Sequence, residues 1–194
     1  MIRLLGRGSE SFRPFEVTEF KMADFDIDII RPQMRLEDVK LERREMARAG
    51  LQSLKKALRA FHNLETMAVN IYKWQLTRRP GELNRLLIAA MANEMTHLQD
   101  FQVKLYEFGL KPSRVRGAYW LVGFAIGFFS RLFGAKAVLK AGIWVETKAV
   151  HHYSVLLSSV AWDSETRFII RKDQADEEGH VSRWKSLLSK GQSE

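Results

Sequence analysis

The stretch Glu94-Met95-Thr96-His97 places a glutamate and a histidine three residues apart, and the same spacing recurs in Glu177-Glu178-Gly179-His180. Residues i and i+3 lie on one face of an α-helix, about one turn apart. If both stretches are helical, each presents a carboxylate and an imidazole that can reach one metal ion. A complete metal site would need further ligands from neighbouring segments at the same level.

The chain beyond its first 35 residues has the periodicity and the turn signals of an all-α protein. Arg78-Arg79-Pro80-Gly81 is a stop-and-turn signal, and Trp162-Asp163-Ser164 supplies a break with an N-cap. Glycines at 109 and 134 end two other segments. Five helical segments are predicted. The first covers residues 36–79 in whole or in part, with an interruption near residue 50, and the others are residues 82–108, 113–133, 135–161 and 164–190.

Each of the two motifs has a matching glutamate in the helix that precedes it. Glu65 lies 15 residues before the proline of the first turn, and Glu94 lies 14 residues after it. Glu146 and Glu177 lie 16 and 15 residues on either side of Trp162. Residues equidistant from the turn of an antiparallel helical hairpin sit at the same height. The spacing therefore predicts four glutamates and two histidines at one level of a four-helix bundle.

This is the ligand set of ferritin-like di-iron carboxylate proteins, in which two helices give one Glu each and two give Glu-x-x-His. The predicted metal ligands are Glu65, Glu94, His97, Glu146, Glu177 and His180. Four carboxylates balance the charge of two Fe(II) ions, and Mn(II) accepts the same donors. The predicted fold class is all-α, a ferritin-like four-helix bundle with an additional apolar helix between its two hairpins. The alternative is that single members of the set are ordinary surface residues.

Four further residues are predicted to lie around the ligands. His62 precedes Glu65 by one turn, and Tyr72 and Tyr153 each follow a predicted ligand by seven residues on the same helix face. Asp173 precedes the second motif by one turn and can orient a ligand histidine, with Asp176 as a less favourably phased candidate. The alternatives are a plain polar histidine, two structural tyrosines and a solvated acidic turn.

The longest uncharged apolar run is residues 118–129, too short for a membrane-spanning helix. Six basic residues flank this run, which is typical of a helix that lies in a membrane interface. The membrane or substrate contacts predicted on it are Trp120, Leu121, Phe124 and Phe128. A buried core helix or an interface in a homo-oligomer is the alternative.

Composition limits the classes of function. The 194 residues include no cysteine, which excludes a disulfide scaffold, an iron–sulfur cluster and a thiol nucleophile. The net charge of +8 favours a polyanionic neighbour. The basic residues surround apolar side chains and no nucleic-acid motif occurs, so an anionic membrane surface is predicted rather than nucleic acid.

The first 45 residues are predicted to be an N-terminal extension, and residues 46–194 the ferritin-like domain. Apolar and polar residues alternate at 24–30, which indicates a strand or an extended arm. Arg3 and Arg7 precede polar residues rather than an apolar stretch. The protein is therefore predicted to be cytoplasmic and peripheral to the membrane, on its cytoplasmic face.

Four local patterns resemble the demethoxyubiquinone hydroxylase family. They are His62-Asn63-Leu64-Glu65 with Tyr72, Glu94–His97 before the apolar helix, Trp144–Tyr153 with its His-His-Tyr ending, and the acidic Asp176–His180. The chain departs from the family at Asn63-Leu64 and at Thr147, where the family has Ala-Gly and often a second glutamate. The similarity covers about residues 50–185. The resemblance implies a membrane-associated di-iron monooxygenase of ubiquinone biosynthesis.

Two functions fit the ligand set. The leading hypothesis is an O2-dependent hydroxylase of a lipophilic quinone, with Glu65 and Glu146 as terminal ligands, Glu94 and Glu177 as bridging ligands, and a histidine on each iron. No flavin or nicotinamide motif occurs, so an external reductant or the substrate quinol would supply electrons. The alternative is a ferroxidase or iron-binding protein without an organic substrate, which has no need of the apolar helix.

Overall fold

The computed structural model describes residues 35–41 and 48–190, and within them the protein is all-α. Its five helices are α1 (Arg48–Gln75), α2 (Glu82–Glu107), α3 (Arg116–Leu132), α4 (Ala135–Ser159) and α5 (Ser164–Lys190). No strand occurs among the described residues. The helices α1 and α2 form one hairpin and α4 and α5 form the other, with α3 between them along the chain. The predicted ferritin-like bundle is confirmed.

The start of the chain's helical part differs in detail from the prediction. Residues 39–41 are not helical, and Gly50 lies inside α1 without interrupting it. Leu54 and Leu58, the next apolar positions along α1, are fully buried. Their packing holds the first turns in helical form despite the glycine, because burial of apolar side chains outweighs the propensity cost of about 1 kcal/mol.

The chain divides into two units after Asp38. In the first unit, the described residues form a short 3-10 turn, Leu36–Asp38, in which the Asp38 carboxylate accepts a hydrogen bond from the Arg35 amide. The predicted strand or arm at 24–30 lies outside the described residues. The predicted division into an extension of 45 residues and a domain of residues 46–194 stays a prediction.

Side-chain hydrogen bonds fix the two turns that set the register of the hairpins. The Asn84 amide binds both the backbone N–H and the carbonyl of Thr77, at 2.9 Å each, so α1 ends at Gln75 rather than at the predicted residue 79. The Asp163 carboxylate accepts a hydrogen bond from the Thr166 amide at 2.8 Å, which is the predicted N-cap of α5. Short, fixed turns keep the glutamates on either side at matched heights.

The core consists of two apolar clusters that lie at different levels of the bundle. The first includes Phe61, Phe101 and Ile170, and the second includes Leu87 and Trp184. Along each of α1, α2, α4 and α5, the predicted metal ligands fall in sequence between residues of the first cluster and residues of the second. The polar level is therefore closed by apolar side chains above and below.

The apolar helix α3 packs closely against α1 through its small residues. A Cβ atom built on Gly123 would overlap the Met67 carbonyl oxygen, and one on Gly127 would overlap the Ile71 carbonyl oxygen. Glycine at both positions lets the two backbones approach each other. No helix among the described residues is long and apolar enough to cross a bilayer.

The close approach of α3 and α1 predicts different effects on stability for two glycine-to-alanine changes on the same helix. Gly127→Ala is expected to reduce the free energy of unfolding by about 1–3 kcal/mol, the usual cost of overpacking. Gly117→Ala is expected to be neutral or to increase it by up to about 1 kcal/mol, because nothing lies within 4 Å of the added methyl group. Urea unfolding of both variants measures this, and equal effects would contradict the packing.

Candidate metal centre

All six predicted ligands lie at the middle of the bundle and are buried. Their exposed fractions are between 0% and 2%. Burying this many ionisable groups is costly unless each finds a partner of opposite charge or a metal ion. The six residues, brought together from four helices, are Glu65 on α1, Glu94 and His97 on α2, Glu146 on α4, and Glu177 and His180 on α5.

The six side chains form two overlapping groups of possible ligands. Glu65 and His97 belong to the first group, Glu146 and His180 to the second, and Glu94 and Glu177 to both. Within each group, one potential ligand atom from every residue lies within 4.8 Å of the others. This arrangement suits two neighbouring ions that share two carboxylates, each ion having one further carboxylate and one imidazole of its own.

The inner atoms of the centre face one another without forming hydrogen bonds. His180 Nδ1 lies 3.1 Å from a Glu94 oxygen and 3.3 Å from a Glu177 oxygen, and His97 Nδ1 lies 3.2 Å from the other Glu177 oxygen. Both imidazole Nδ1 atoms and all four oxygens of Glu94 and Glu177 are buried without a hydrogen-bond partner. Buried polar atoms in proteins are normally satisfied. Carboxylate oxygens and imidazole nitrogens that converge without hydrogen-bonding one another are what a metal site requires.

The metal-free centre has strongly perturbed carboxyl groups. Burial, together with the charges of Glu94 and Glu177, raises the pKa values of Glu65 and Glu146 well above the ordinary range. Burial acts on Glu94 in the same direction, but the two imidazoles beside it outweigh this effect and hold its pKa far below the ordinary range. Without metal, the centre is therefore a mixture of neutral and charged carboxyl groups.

The two ligand histidines have raised pKa values without metal. Burial disfavours the imidazolium form of His180, but Glu177 and Glu94 outweigh this effect and raise its pKa to about 9. For His97, contacts with Asp176, Glu177 and Glu94 likewise outweigh burial and raise the pKa well above its ordinary value. In the metal-free protein, both imidazoles therefore keep their protons to a higher pH than a free histidine does.

Two tyrosines connect the hairpins through the centre. Tyr153 on α4 donates a hydrogen bond to Glu65 on α1 at 2.6 Å, and Tyr72 on α1 donates one to Glu146 on α4. Trp184 Nε1 in turn donates to the Tyr72 hydroxyl at 3.1 Å. Each tyrosine was predicted near the ligand on its own helix, but its hydroxyl binds the equivalent ligand on the other hairpin. These bonds leave the carboxylates little freedom to rotate.

The outer nitrogens of the histidines have partners of their own. His97 Nε2 lies 3.2 Å from Asp176 and 3.7 Å from Asp173, and Lys172 Nζ lies 3.0 Å from the Asp173 carboxylate. The preference for Asp173 over Asp176 rested on helical phase relative to the motif of α5. In the structure both acids lie beside the histidine of α2 rather than the histidine of their own motif, and Asp176 is the nearer of the two.

The side chain of His62 does not join the ligands. Its Nε2 lies 3.3 Å from the Gln102 amide oxygen on α2, and it belongs to neither group of possible ligands. Burial lowers its pKa, so the ring is neutral. Asn93, which the sequence analysis missed, lies 3.5 Å from His180 Nε2. One indication in the sequence that Asn93 lies near the centre is that it directly precedes Glu94.

A cavity of about 390 Å³ opens between α1 and α4 beside the centre. Its lining combines apolar side chains, among them Leu64, Met67 and Trp144, with the ligand carboxylates Glu65 and Glu146. The cavity therefore combines an apolar wall with access to the polar level of the bundle. Pockets of this size, apolar with a few polar groups, are typical binding sites for small molecules.

A helical bundle with four buried glutamates and two histidines from four helices defines a ferritin-like protein with a candidate dinuclear metal site. The chain belongs to the ubiquinone biosynthesis protein COQ7 family, whose model matches residues 52–191. The family predicted from the sequence patterns is thereby confirmed.

Proteins similar to this chain have names that specify an activity. It is 29% identical over 135 residues to "NADPH-dependent 3-demethoxyubiquinone 3-hydroxylase, mitochondrial" of Dictyostelium discoideum. The aligned region makes up 67% of this chain and 62% of that protein. It is 27% identical over 160 residues to "3-demethoxyubiquinol 3-hydroxylase" of Legionella pneumophila (strain Lens). That alignment covers 79% of this chain and 75% of the Legionella protein. A Nitrosospira multiformis protein of the same name is 29% identical over 145 residues, and the alignment covers 71% of this chain and 70% of that protein.

Proposed function

We propose that this protein is a di-iron, O2-dependent hydroxylase of a lipophilic ubiquinone precursor that acts at a membrane surface. The observation that carries the proposal is the pair of overlapping ligand groups, buried and lacking internal hydrogen bonds, beside an apolar cavity. The names of the relatives, 3-demethoxyubiquinol 3-hydroxylases, supply the substrate class and the reaction. The proposed catalytic unit is the domain of residues 46–194.

The residues present fit two iron ions. Glu65 and His97 would hold one ion, Glu146 and His180 the other, and Glu94 and Glu177 would be shared. The fit rests on the unpartnered inner oxygens and imidazole nitrogens, since a metal ion supplies the partner that the protein does not. When bound, the two ions supply the oxygen chemistry, which no side chain of this centre can perform. Mn(II) accepts the same donors, so metal analysis identifies the ion.

The protein's own groups position the ligands and keep water out. Tyr153 and Tyr72 hold Glu65 and Glu146 from the opposite hairpin, and Asp176 holds the outer nitrogen of His97. The apolar clusters above and below leave the cavity between α1 and α4 as the approach for a ring. The ring of the quinol would enter there past Trp144, which is exposed at the cavity's edge.

The exposed face of α3 supports docking on a membrane. Leu121, Phe129 and Phe133 are exposed by 57%, 54% and 78%, although they are large apolar side chains. Exposed bases lie at both ends of the helix: Arg114, Arg116, Arg131 and Lys136. Apolar side chains between basic flanks favour binding to an anionic bilayer surface. The proposed location is the cytoplasmic face of a membrane, with electrons from an external reductant or from the substrate quinol.

The test is turnover under labelled oxygen. Iron-loaded protein, a demethoxyubiquinol analogue and ¹⁸O2 are expected to give a hydroxylated ring that carries one labelled atom per turnover. Mass spectrometry measures the label, and protein without iron is the control. Rapid oxidation of Fe(II) by O2 with no labelled ring product would support a ferroxidase and contradict the proposal.

The tyrosine contacts predict a specific loss of metal affinity. Tyr153→Phe is expected to weaken metal binding about 10–100-fold, the usual range when a group that orients a ligand is removed. Titration with Mn(II), followed by the metal's paramagnetic signal, measures the affinity. Tyr119→Phe on α3 removes a hydroxyl outside the ligand groups and is the matched control. Equal affinities in all three proteins would show that the Tyr153 hydroxyl does not orient Glu65.

The raised histidine pKa values predict that metal binding releases protons. At pH 7, His180 holds its proton without metal and must lose it to become a ligand. Proton release is therefore expected at neutral pH, and the apparent affinity is expected to rise with pH up to about 9. Calorimetry in buffers of different ionisation enthalpy counts the protons. Binding without proton release would show that the histidines are neutral before the metal arrives.

A further inference from the structure

A second cavity lies away from the metal centre, and its lining includes three arginines that form no ion pair among the described residues. It has a volume of about 820 Å³ and lies where the α1–α2 turn meets the α3–α4 turn. Arg78, Arg79 and Arg131 line it, and no carboxylate does. Within the described part of the chain, none of these three guanidinium groups forms an ion pair. Nothing in the proposed hydroxylation makes use of this cavity.

The positive ends of two helices line the same cavity. Gly81 is the N-cap of α2 and Gly134 is the N-cap of α4, and neither helix has a side-chain hydrogen bond at its cap. The first amides of a helix lack partners within the helix and carry partial positive charge. The cavity is therefore positive through two uncapped helix ends as well as through the arginines.

A buried polar group on the cavity wall lacks one partner. Gln75 is 1% exposed, and its amide nitrogen donates to the Ser130 hydroxyl at 2.9 Å. Its amide oxygen has no hydrogen-bond partner, although the residue lines the cavity. A carbonyl oxygen requires a donor, which a fully ionised inorganic anion cannot supply. The ligand that fits therefore carries a hydroxyl group as well as a negative charge.

The wall that carries two of the arginines is held in place. The Asn84 amide binds the backbone of Thr77 on both sides and fixes the turn that contains Arg78 and Arg79. Leu83, Leu87 and Val138 supply an apolar part of the lining. The cavity therefore combines cationic, polar and apolar walls on a fixed frame, as a site for an amphiphilic molecule requires.

The exposed apolar end of α3 distinguishes a lipid from a soluble anion. Leu132 and Phe133 lie between the lining residues Arg131 and Gly134, and they are exposed by 63% and 78%. A phospholipid places its acyl chains beside its phosphate, so both features would be used together. An ammonium headgroup would be repelled by three arginines without a carboxylate, whereas a glycerol headgroup brings hydroxyl donors and no positive charge.

We propose that this cavity binds the headgroup of an anionic glycerophospholipid, phosphatidylglycerol in type, with the phosphodiester at the arginines and a headgroup hydroxyl at Gln75. The inference rests on the membrane docking in the proposed function and deepens it. It assigns the cavity a role that the apolar face of α3 cannot fulfil alone. The apolar face binds any bilayer surface, and the cavity selects the lipid and fixes the orientation of the protein on it.

The test compares two triple variants with the same change in net charge. Arg78→Gln/Arg79→Gln/Arg131→Gln removes the cavity's cations. Lys56→Gln/Arg171→Gln/Lys185→Gln removes three exposed bases elsewhere on the surface. Flotation of full-length, metal-loaded protein is measured with vesicles of phosphatidylcholine alone and of phosphatidylcholine with 30 mol% phosphatidylglycerol.

The cavity variant is expected to lose about a hundredfold in affinity for the phosphatidylglycerol vesicles, since each base contributes about fivefold at an anionic surface. The control variant is expected to stay within about threefold of the unmodified protein. Metal content should be unchanged in both, which shows that they fold. Equal losses in the two variants would overturn the proposal in favour of general charge attraction.

A soluble competitor separates the lipid from a free phosphate. Glycerol 3-phosphate at millimolar concentration is expected to displace the protein from vesicles only weakly, because it lacks the acyl chains. Saturable binding of glycerol 3-phosphate with no preference for phosphatidylglycerol would overturn the lipid assignment. If the unmodified protein floats with neither vesicle yet still hydroxylates a short-chain quinol, both the docking and this inference fail while the proposed chemistry stands.

Discussion

Replacing Glu177 with alanine is expected to remove both metal ions from the protein, whereas replacing Glu65 is expected to remove only one. Glu177 belongs to both groups of possible ligands, and Glu65 belongs to one. In Glu65→Ala, the four residues of the other group remain intact and are enough to hold one ion. Elemental analysis after loading with excess Fe(II) without oxygen measures the stoichiometry, and hydroxylation is expected to be lost in both variants.

The same experiment has a thermodynamic readout. A ligand that binds only the folded protein stabilises it by about 2.7 kcal/mol at a concentration 100 times its dissociation constant. For a protein of this size, that corresponds to about 5–10 °C in the unfolding midpoint. The unmodified protein is expected to show this shift on adding Mn(II), and Glu177→Ala is expected to show none. Removal of metal by a chelator should reverse the shift.

The neighbouring Glu178 offers a matched control. It has the same side chain on the same helix but is exposed to solvent and belongs to neither ligand group. Glu178→Ala is expected to keep its metal, its thermal shift and its activity. If Glu177→Ala kept one ion, the carboxylate would serve a single metal and the shared arrangement would be wrong. If Glu178→Ala lost metal, the helix phase of α5 would be wrong.

The level of the candidate centre was predictable because helix geometry is local. The spacing of Glu94 and His97 fixes one helix face, and equal distances from a short turn fix the height of Glu65. Neither argument needs knowledge of how the two hairpins are packed. The structure brings the six residues together because the turns at Thr77–Asn84 and Asp163–Thr166 are as short as the spacing requires.

The partners around the ligands were less predictable because they depend on contacts between hairpins. Tyr153 follows Glu146 by seven residues, but its hydroxyl binds Glu65 on the other hairpin. Asp176 lies beside a histidine of α2 rather than the histidine of its own motif. Helical phase within one segment cannot determine which residue of another segment lies opposite. Tertiary packing decides these partners.

The apolar helix illustrates the same limit. Phe124 was predicted on the membrane face, but it is only partly exposed and packs edge-on against Trp74 of α1, with ring centroids 4.7 Å apart. The structure exposes Phe129 and Phe133 instead, neither of which was predicted as a membrane contact. The two glycines that pack on α1 fix the rotation of α3. Because α3 is apolar on most of its circumference, its sequence alone does not show which face packs on α1.

The exposed face of α3 predicts the second large effect, on membrane binding. Leu121→Asp combined with Phe129→Asp is expected to reduce binding to anionic vesicles by at least about a hundredfold. Each of these side chains is more than half exposed, and burying both in lipid contributes about 3 kcal/mol, to which the repulsion of two new negative charges adds. Vesicle flotation at several salt concentrations measures the loss, which should persist at high salt because its main cause is apolar.

A control for this variant must remove the same apolar area and add the same charge elsewhere. Ile88→Asp combined with Phe168→Asp does so at side chains that are 49% and 69% exposed on α2 and α5. That control is expected to bind vesicles almost as the unmodified protein does, and both variants should keep their metal because none of the four residues is a predicted ligand. If the α3 variant binds vesicles normally but changes the protein's mass in solution, the exposed face is an interface between copies of the chain. If it unfolds or loses its metal, the face supports the core, and the proposed docking of α3 on a membrane is wrong.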